Sequence, residues 1–203
     1  MKLYYSPGTS ALAPHIALCE SGLAFEPVLV NIRTHQLPDG SDYYAIQPLG
    51  YVPLLELDDG ERLHEIAAIL QYVADQTPAG KLAPANGTLL RYHLQEWLNF
   101  VGTELHKGCY SPLFNRAVPD EAKGVFRERL LSRYQWIEGQ LQGRDYLMGD
   151  QFSVADGYLF TATRWAAAVK LDISGLTNVQ AFQARMMTRP GVLEALRAHG
   201  LEK

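Results

Sequence analysis

The chain has 203 residues, 47% apolar and 20% charged, the proportions of an ordinary soluble globular protein with room for one domain or two small ones. Net charge is −4, pI is about 5.8 and no block of like charge occurs, so nucleic acid and anionic membranes are poor partners. No apolar run is long enough to span a bilayer, Met1 to Pro7 breaks too soon for a signal peptide, and the cysteines Cys19 and Cys109 form no Cys-x-x-Cys pair, which speaks for a reducing, cytoplasmic compartment.

Lys2 to Tyr5 reads as a short aromatic-rich strand stopped by Pro7-Gly8. Leu12, His15, Ile16 and Cys19 then recur with helical periodicity. Pro14 is tolerated only in a helix's first turn, so the helix is expected to begin close to Ser10. Thr9 and Ser10 therefore lie at a helix entrance, where backbone N–H groups and the macrodipole favour an anion. The plainer alternative is that one of them is only a cap. Phe25 to Val30 reads as a second strand, and the polar segment 31–44 holds His35, by default a solvated loop histidine.

The stretch from Gln47 to Gly60 organises the chain. Pro48 and Gly50 punctuate a loop, Val52-Pro53 opens a third strand, and Asp58-Asp59-Gly60 turns it back. Pro53 removes a backbone donor where the strand begins, and a cis bond there would leave the Val52 backbone free for another peptide. A fourth strand is expected near Glu61-Arg62-Leu63, then a helix from Glu65 carrying Ile66, Ile69, Leu70 and Val73 on one face. Glu65 thus stands at a helix start beside an exposed peptide edge, a place to hold something shaped like a peptide. Taken alone, the stretch reads first as an edge strand, a turn and a helix.

From Thr77 to Asn86 the composition shifts to a linker, beyond which strand signals disappear. The division is residues 1–79, a linker over 80–86, and a helical domain over 87–203, with a mixed sheet flanked by helices in the first part. Leu90, Leu94, Trp97, Leu98, Val101 and Leu105 mark an apolar helix face, and Asn99, Thr103 and His106 a polar stripe that could look back at the first domain. Gly108 reads as the end of this helix. Cys109 is read as an incidental small hydrophobe, and no metal site is expected, since His106 and Cys109 bring no further ligands into range. Glu121 to Leu141 follows as an amphipathic helix. Ser153 with Asp156 forms a capping box ahead of an apolar run, Tyr158 to Val169 should be the buried centre, and Met186 to Leu196 supplies two short closing helices around Pro190-Gly191.

These features together resemble the cytosolic glutathione transferases, most nearly the bacterial beta class. The likeness runs through Pro7-Gly8, His15, Gly50, Val52-Pro53, Asp58-Asp59-Gly60, Glu65, Trp97-Leu98-Asn99, Thr103 to Gly108, and Ser153 with Asp156. It implies an α/β thioredoxin-like domain that binds glutathione as co-substrate, an all-α domain that shapes the pocket for a hydrophobic electrophile, and a homodimer with a role in detoxification. Val52 and Pro53 would meet the cysteinyl unit, Glu65 the γ-glutamyl ammonium and the Ile66 N–H the neighbouring carboxylate. Thr9, Asn99, Thr103 and His106 would line the site, and His35 would stand where the family often has lysine near the glycine carboxylate. Tyr110, Phe114 and Trp165 would wall the electrophile pocket, with a core role as their alternative. Ser10 is the first choice to hold the thiolate, His106 the second, and Tyr5 the rival.

Three positions depart from the family pattern. Ser10 replaces the usual cysteine and cannot form a mixed disulfide, which counts against a glutathione-dependent thiol–disulfide reductase. Ile66 replaces a small polar residue, and Gly157 leaves Phe152 without a hydrophobic staple partner. Besides the transferase, a non-catalytic binder of glutathione and hydrophobic ligands is the other alternative.

Overall fold

The computed structural model describes residues 1–78 and 80–202; Ala79, at which the expected first domain ends, lies outside them. Four strands form one sheet in the order β2-β1-β3-β4. Strand β1 (Lys2–Tyr5) pairs in parallel with β2 (Glu26–Leu29) and antiparallel with β3 (Leu54–Glu56). The parallel pair follows from the crossover through helix α1 (Leu12–Ser21). Strand β4 (Arg62–His64) starts one residue later than expected, because Glu61 still belongs to the hairpin turn, its carbonyl accepting from Leu57 N at 2.8 Å. Gly60 adopts φ +90° in that turn, a conformation open to glycine.

Side chains alternate across the sheet. Leu3 and Leu55 face the main core against Ile16 and Leu18 of α1 and Ile69, Leu70 and Val73 of α2 (Ile66–Asp75), all buried. Tyr4 and Leu54 face the other way, onto Val30 and Tyr43 beneath the segment 31–47. The linker is pinned rather than loose: Leu82 is buried, its carbonyl accepts from Val154 N at 2.9 Å, and Lys81 donates to the Ser21 carbonyl at 2.9 Å. The buried Arg91 clamps Asp75 of α2 through two bonds of 2.9 and 3.0 Å.

The second domain opens with α3 (Leu89–Phe100), which continues as a π-helical run over Val101–Tyr110 and then as α4 (Ser111–Phe114). Gly108 therefore does not end the helix. A Cβ there would lie 2.3 Å from the Thr103 carbonyl oxygen, so the glycine admits the close backbone approach of the wider turn. Helix α5 (Asp120–Gln140) packs on this rod, and α6 (Val154–Thr163) begins directly at the capping box, four residues earlier than the expected Tyr158. Every residue of α6 is buried. Gly157 lies where α6 crosses α1, and a Cβ there would come into ordinary contact with Ile16 Cγ2 at 3.4 Å. Phe152 packs instead edge-on to Tyr146 and beneath the Arg189 guanidinium, 4.1 Å from the ring centroid. The closing helices are α7 (Thr177–Met186) and α8 (Pro190–Ala198); α7 lies almost wholly before Met186, where the sequence showed no start signal. Among the described residues no helix is long and apolar enough to cross a membrane.

Candidate active site

A cleft of about 330 Å³ opens between the domains, and three backbone features of the first domain meet in it. The first is the Val52-Pro53 bond, which is cis; among the described residues neither the Val52 N–H nor its C=O has a hydrogen-bond partner. The second is the start of α2. Glu65 sits at φ 69°, ψ 119°, strained for a residue with a side chain, and makes no capping bond. Its carbonyl takes Ala68 N and Ile69 N, which leaves the N–H groups of Ile66 and Ala67, and the Glu65 carboxylate, without partners among the described residues.

The third is the start of α1. The Thr9 hydroxyl donates to the Ser6 carbonyl at 2.7 Å and accepts from Ala11 N at 3.3 Å, and Ala11 occupies the cap position. The Ser10 hydroxyl is therefore not the cap; it makes no hydrogen bond among the described residues and lines the cleft. His35 also lines the cleft, and it is not the solvated loop residue that was the default. Its ring lies 4.3 Å from that of Tyr44, φ is 54°, and Nδ1 is buried without a partner. Gly50 makes this possible, since a Cβ there would sit 2.6 Å from His35 Nδ1.

From the helical domain come His106 and Lys107. His106 Nδ1 is 2.9 Å from the Tyr158 hydroxyl, and burial, aided by the charge of Lys107, pushes the imidazole pKa down to about 4. The ring is thus neutral at neutral pH. Asn99 and Thr103 line an adjoining recess of about 160 Å³ that shares Glu65, Ile66 and His106 with the cleft, and the Thr103 hydroxyl donates to the Asn99 carbonyl at 2.9 Å.

Not all the expected residues converge. The Tyr5 hydroxyl donates to the Ala198 carbonyl at 3.2 Å, and its ring packs on His15 and His199, away from the cleft. Tyr110 is fully buried with its hydroxyl 2.8 Å from that of Tyr134, which is a core position. Trp165 stands edge-on to Tyr110 and half-exposed Phe114, lies 5.1 Å from the His106 ring, and donates from Nε1 to the Gly8 carbonyl at 3.0 Å. These three form one aromatic cluster beside His106, outside the residues that line the cleft.

Sequence reasoning missed Lys107, whose ammonium sits 5.5 Å over the Tyr51 ring across the cleft, and Tyr158, which it assigned only to the core. A larger groove of about 720 Å³ runs between α3 and α5, lined by Trp97, Phe100 and Trp136, but it gathers none of the unpaired backbone found in the smaller cleft. No group of three metal-ligating side chains occurs among the described residues.

Comparisons with known proteins point to one family. Residues 10–76 match the family model "Glutathione S-transferase, N-terminal domain" and residues 103–190 the corresponding C-terminal domain. The chain is 46% identical over 202 residues to glutathione S-transferase GstA of Escherichia coli O157:H7, covering all of both chains. Among solved structures it is similar to BphK, a bacterial glutathione transferase in a ternary complex (54% identity, TM-score 0.95, 99% of this chain and 100% of that one). It is also similar to a beta-class glutathione S-transferase of Sphingomonas chungbukensis (44% identity, TM-score 0.94, 99% and 100%).

Proposed function

The chain belongs to the glutathione transferase family as a relative of the bacterial beta class, and from that premise we propose how its cleft holds and activates glutathione. The observation that carries the reading is the convergence on one cleft of the unpaired Val52 backbone, the unpaired first N–H groups of α2 and the free Ser10 hydroxyl at the start of α1. An extended peptide laid along Val52 pairs its cysteinyl unit with the free Val52 backbone just ahead of β3. The Glu65 carboxylate takes the γ-glutamyl ammonium, and the Ile66 N–H takes the adjacent carboxylate at the positive end of α2. Asn99 and Thr103 border that end, and His35 stands at the glycine end with Gly50 beneath it.

The sulfur then lies near Ser10 and His106. A free thiol of pKa about 8.5 is only a few per cent ionised at pH 7, so turnover requires a stabilised thiolate. The start of α1 contributes up to about 1–2 kcal/mol, and one donor to an anion about 1.5–3 kcal/mol. Together these lower the thiol pKa by roughly two units or more. The thiolate attacks a hydrophobic electrophile on the side of Trp165, Phe114 and Tyr110. Tyr5 is the weaker rival, its hydroxyl being engaged by Ala198.

The thiolate absorbance of bound glutathione, titrated in Ser10→Ala, His106→Ala and Tyr5→Phe, tests this. Ser10→Ala should raise the apparent pKa and lower turnover by more than roughly tenfold, about 1.4 kcal/mol of barrier. If only Tyr5→Phe moves the curve, the assignment of Ser10 fails.

The same reading includes a division at residues 1–79, 80–86 and 87–203, a cytoplasmic detoxifying role, and a homodimer. The dimer is supported by the exposed Leu89, Leu90 and Tyr92 and by the aromatic groove of Trp97, Phe100 and Trp136. Sedimentation at micromolar concentration should give twice 22.7 kDa, and a monomer overturns it.

A further inference from the structure

We propose that Tyr158 is a positioning residue that fixes the tautomer of His106, so that the imidazole offers the glutathione sulfur a hydrogen from Nε2 and not a lone pair. This rests on the reading above that His106 faces the sulfur. The hydroxyl and Nδ1 are 2.9 Å apart, and the two rings stand at 88°, so they meet through that bond and not by stacking. Tyr158 is 3% exposed, and among the described residues its hydroxyl has no other partner.

A neutral imidazole has one donor and one acceptor nitrogen. If Nδ1 carried the hydrogen, the Tyr158 O–H would be a buried donor with no acceptor. With Tyr158 donating to Nδ1, both groups are satisfied and the hydrogen sits on Nε2. The charged groups around the ring are Lys107 on its own helix and Glu65 at the start of α2, and burial keeps the ring neutral. His106 then stabilises the thiolate as a hydrogen-bond donor, and the proton released by the thiol leaves to solvent.

Protein labelled with 15N-histidine tests the tautomer directly, the His106 signals being identified by their loss in His106→Asn. The expected pattern is Nε2 protonated and Nδ1 an unprotonated acceptor, drifting towards a mixture of tautomers in Tyr158→Phe. That variant should raise the apparent pKa of bound glutathione by about half a unit and lower kcat/KM at pH 6.5 roughly threefold, with KM for glutathione little changed. A hydrogen on Nδ1 in the parent protein, or an unchanged nitrogen pattern in Tyr158→Phe, overturns the tautomer assignment. If the pattern is as expected but neither His106→Asn nor Tyr158→Phe moves the thiol titration, the sulfur-facing role of His106 is overturned, and the hold of Tyr158 on the ring stands.

Discussion

Two helix entrances in this molecule are built in opposite ways. At α6, Ser153 and Asp156 close a reciprocal capping box, and the fully buried Asp156 carboxylate accepts from Ser153 N, Ser153 Oγ and Leu147 N at 2.7–2.8 Å. At α2, Glu65 is held at positive φ, caps nothing, and leaves its carboxylate and the first N–H groups of the helix unpaired among the described residues. A backbone of that kind costs about 1–3 kcal/mol and persists only where its surroundings over-determine it. Here β4 fixes one side, through His64 opposite Leu54, and the buried Ile66 and Ile69 anchor the other. The difference teaches that the entrance of α6 spends its polar groups on the fold, whereas the entrance of α2 leaves them open to the cleft.

The largest expected effect is at the closed entrance. Asp156→Ala should lower stability by about 3–4 kcal/mol in denaturant titration, with turnover per folded molecule preserved. Next, Glu65→Gln should weaken glutathione binding by about 1.5–3 kcal/mol in calorimetry and leave the melting temperature nearly unchanged. A lowered melting temperature with intact affinity would make the two entrances alike and break the comparison.

A third test uses pH. Burial raises the Asp156 pKa to about 6 from 3.8, the bonds from Leu147 and Ser153 offsetting only part of it. Because the folded-state pKa lies above the unfolded one, the linked stability is fully present below pH 3.8 and is lost as pH rises through about 6. The stability gap between the parent and Asp156→Ala should therefore widen by about 1 kcal/mol from pH 7 to pH 5. A constant gap would mean that the carboxylate titrates alike in both states. The smallest effect has the opposite sign: Glu65→Gly relieves the positive φ and should raise stability by about 0.5–1 kcal/mol while losing affinity. A destabilised Glu65→Gly would show that this entrance serves the fold.

What the sequence by itself determined is what neighbouring residues settle among themselves. Strand β1, the helix faces, the Asp58-Asp59-Gly60 turn, the Val52-Pro53 punctuation and the Ser153–Asp156 box all lie within a few residues of their causes, so periodicity and turn chemistry reveal them. Local pattern put Ser10 and Glu65 at helix entrances, and family likeness added the roles expected of them and of His106. Tertiary structure alone decided the rest. Tyr158 reaches His106 across 52 positions, Trp165 reaches Gly8 across 157, and Tyr5 is drawn to Ala198 across 193. His35 is covered because Gly50 has no side chain, and Lys107 joins His106 in facing the cleft on a helix wound more widely than the usual 3.6 residues per turn. Each of these depends on where a distant segment comes to rest, and chain spacing along the sequence carries no record of that distance.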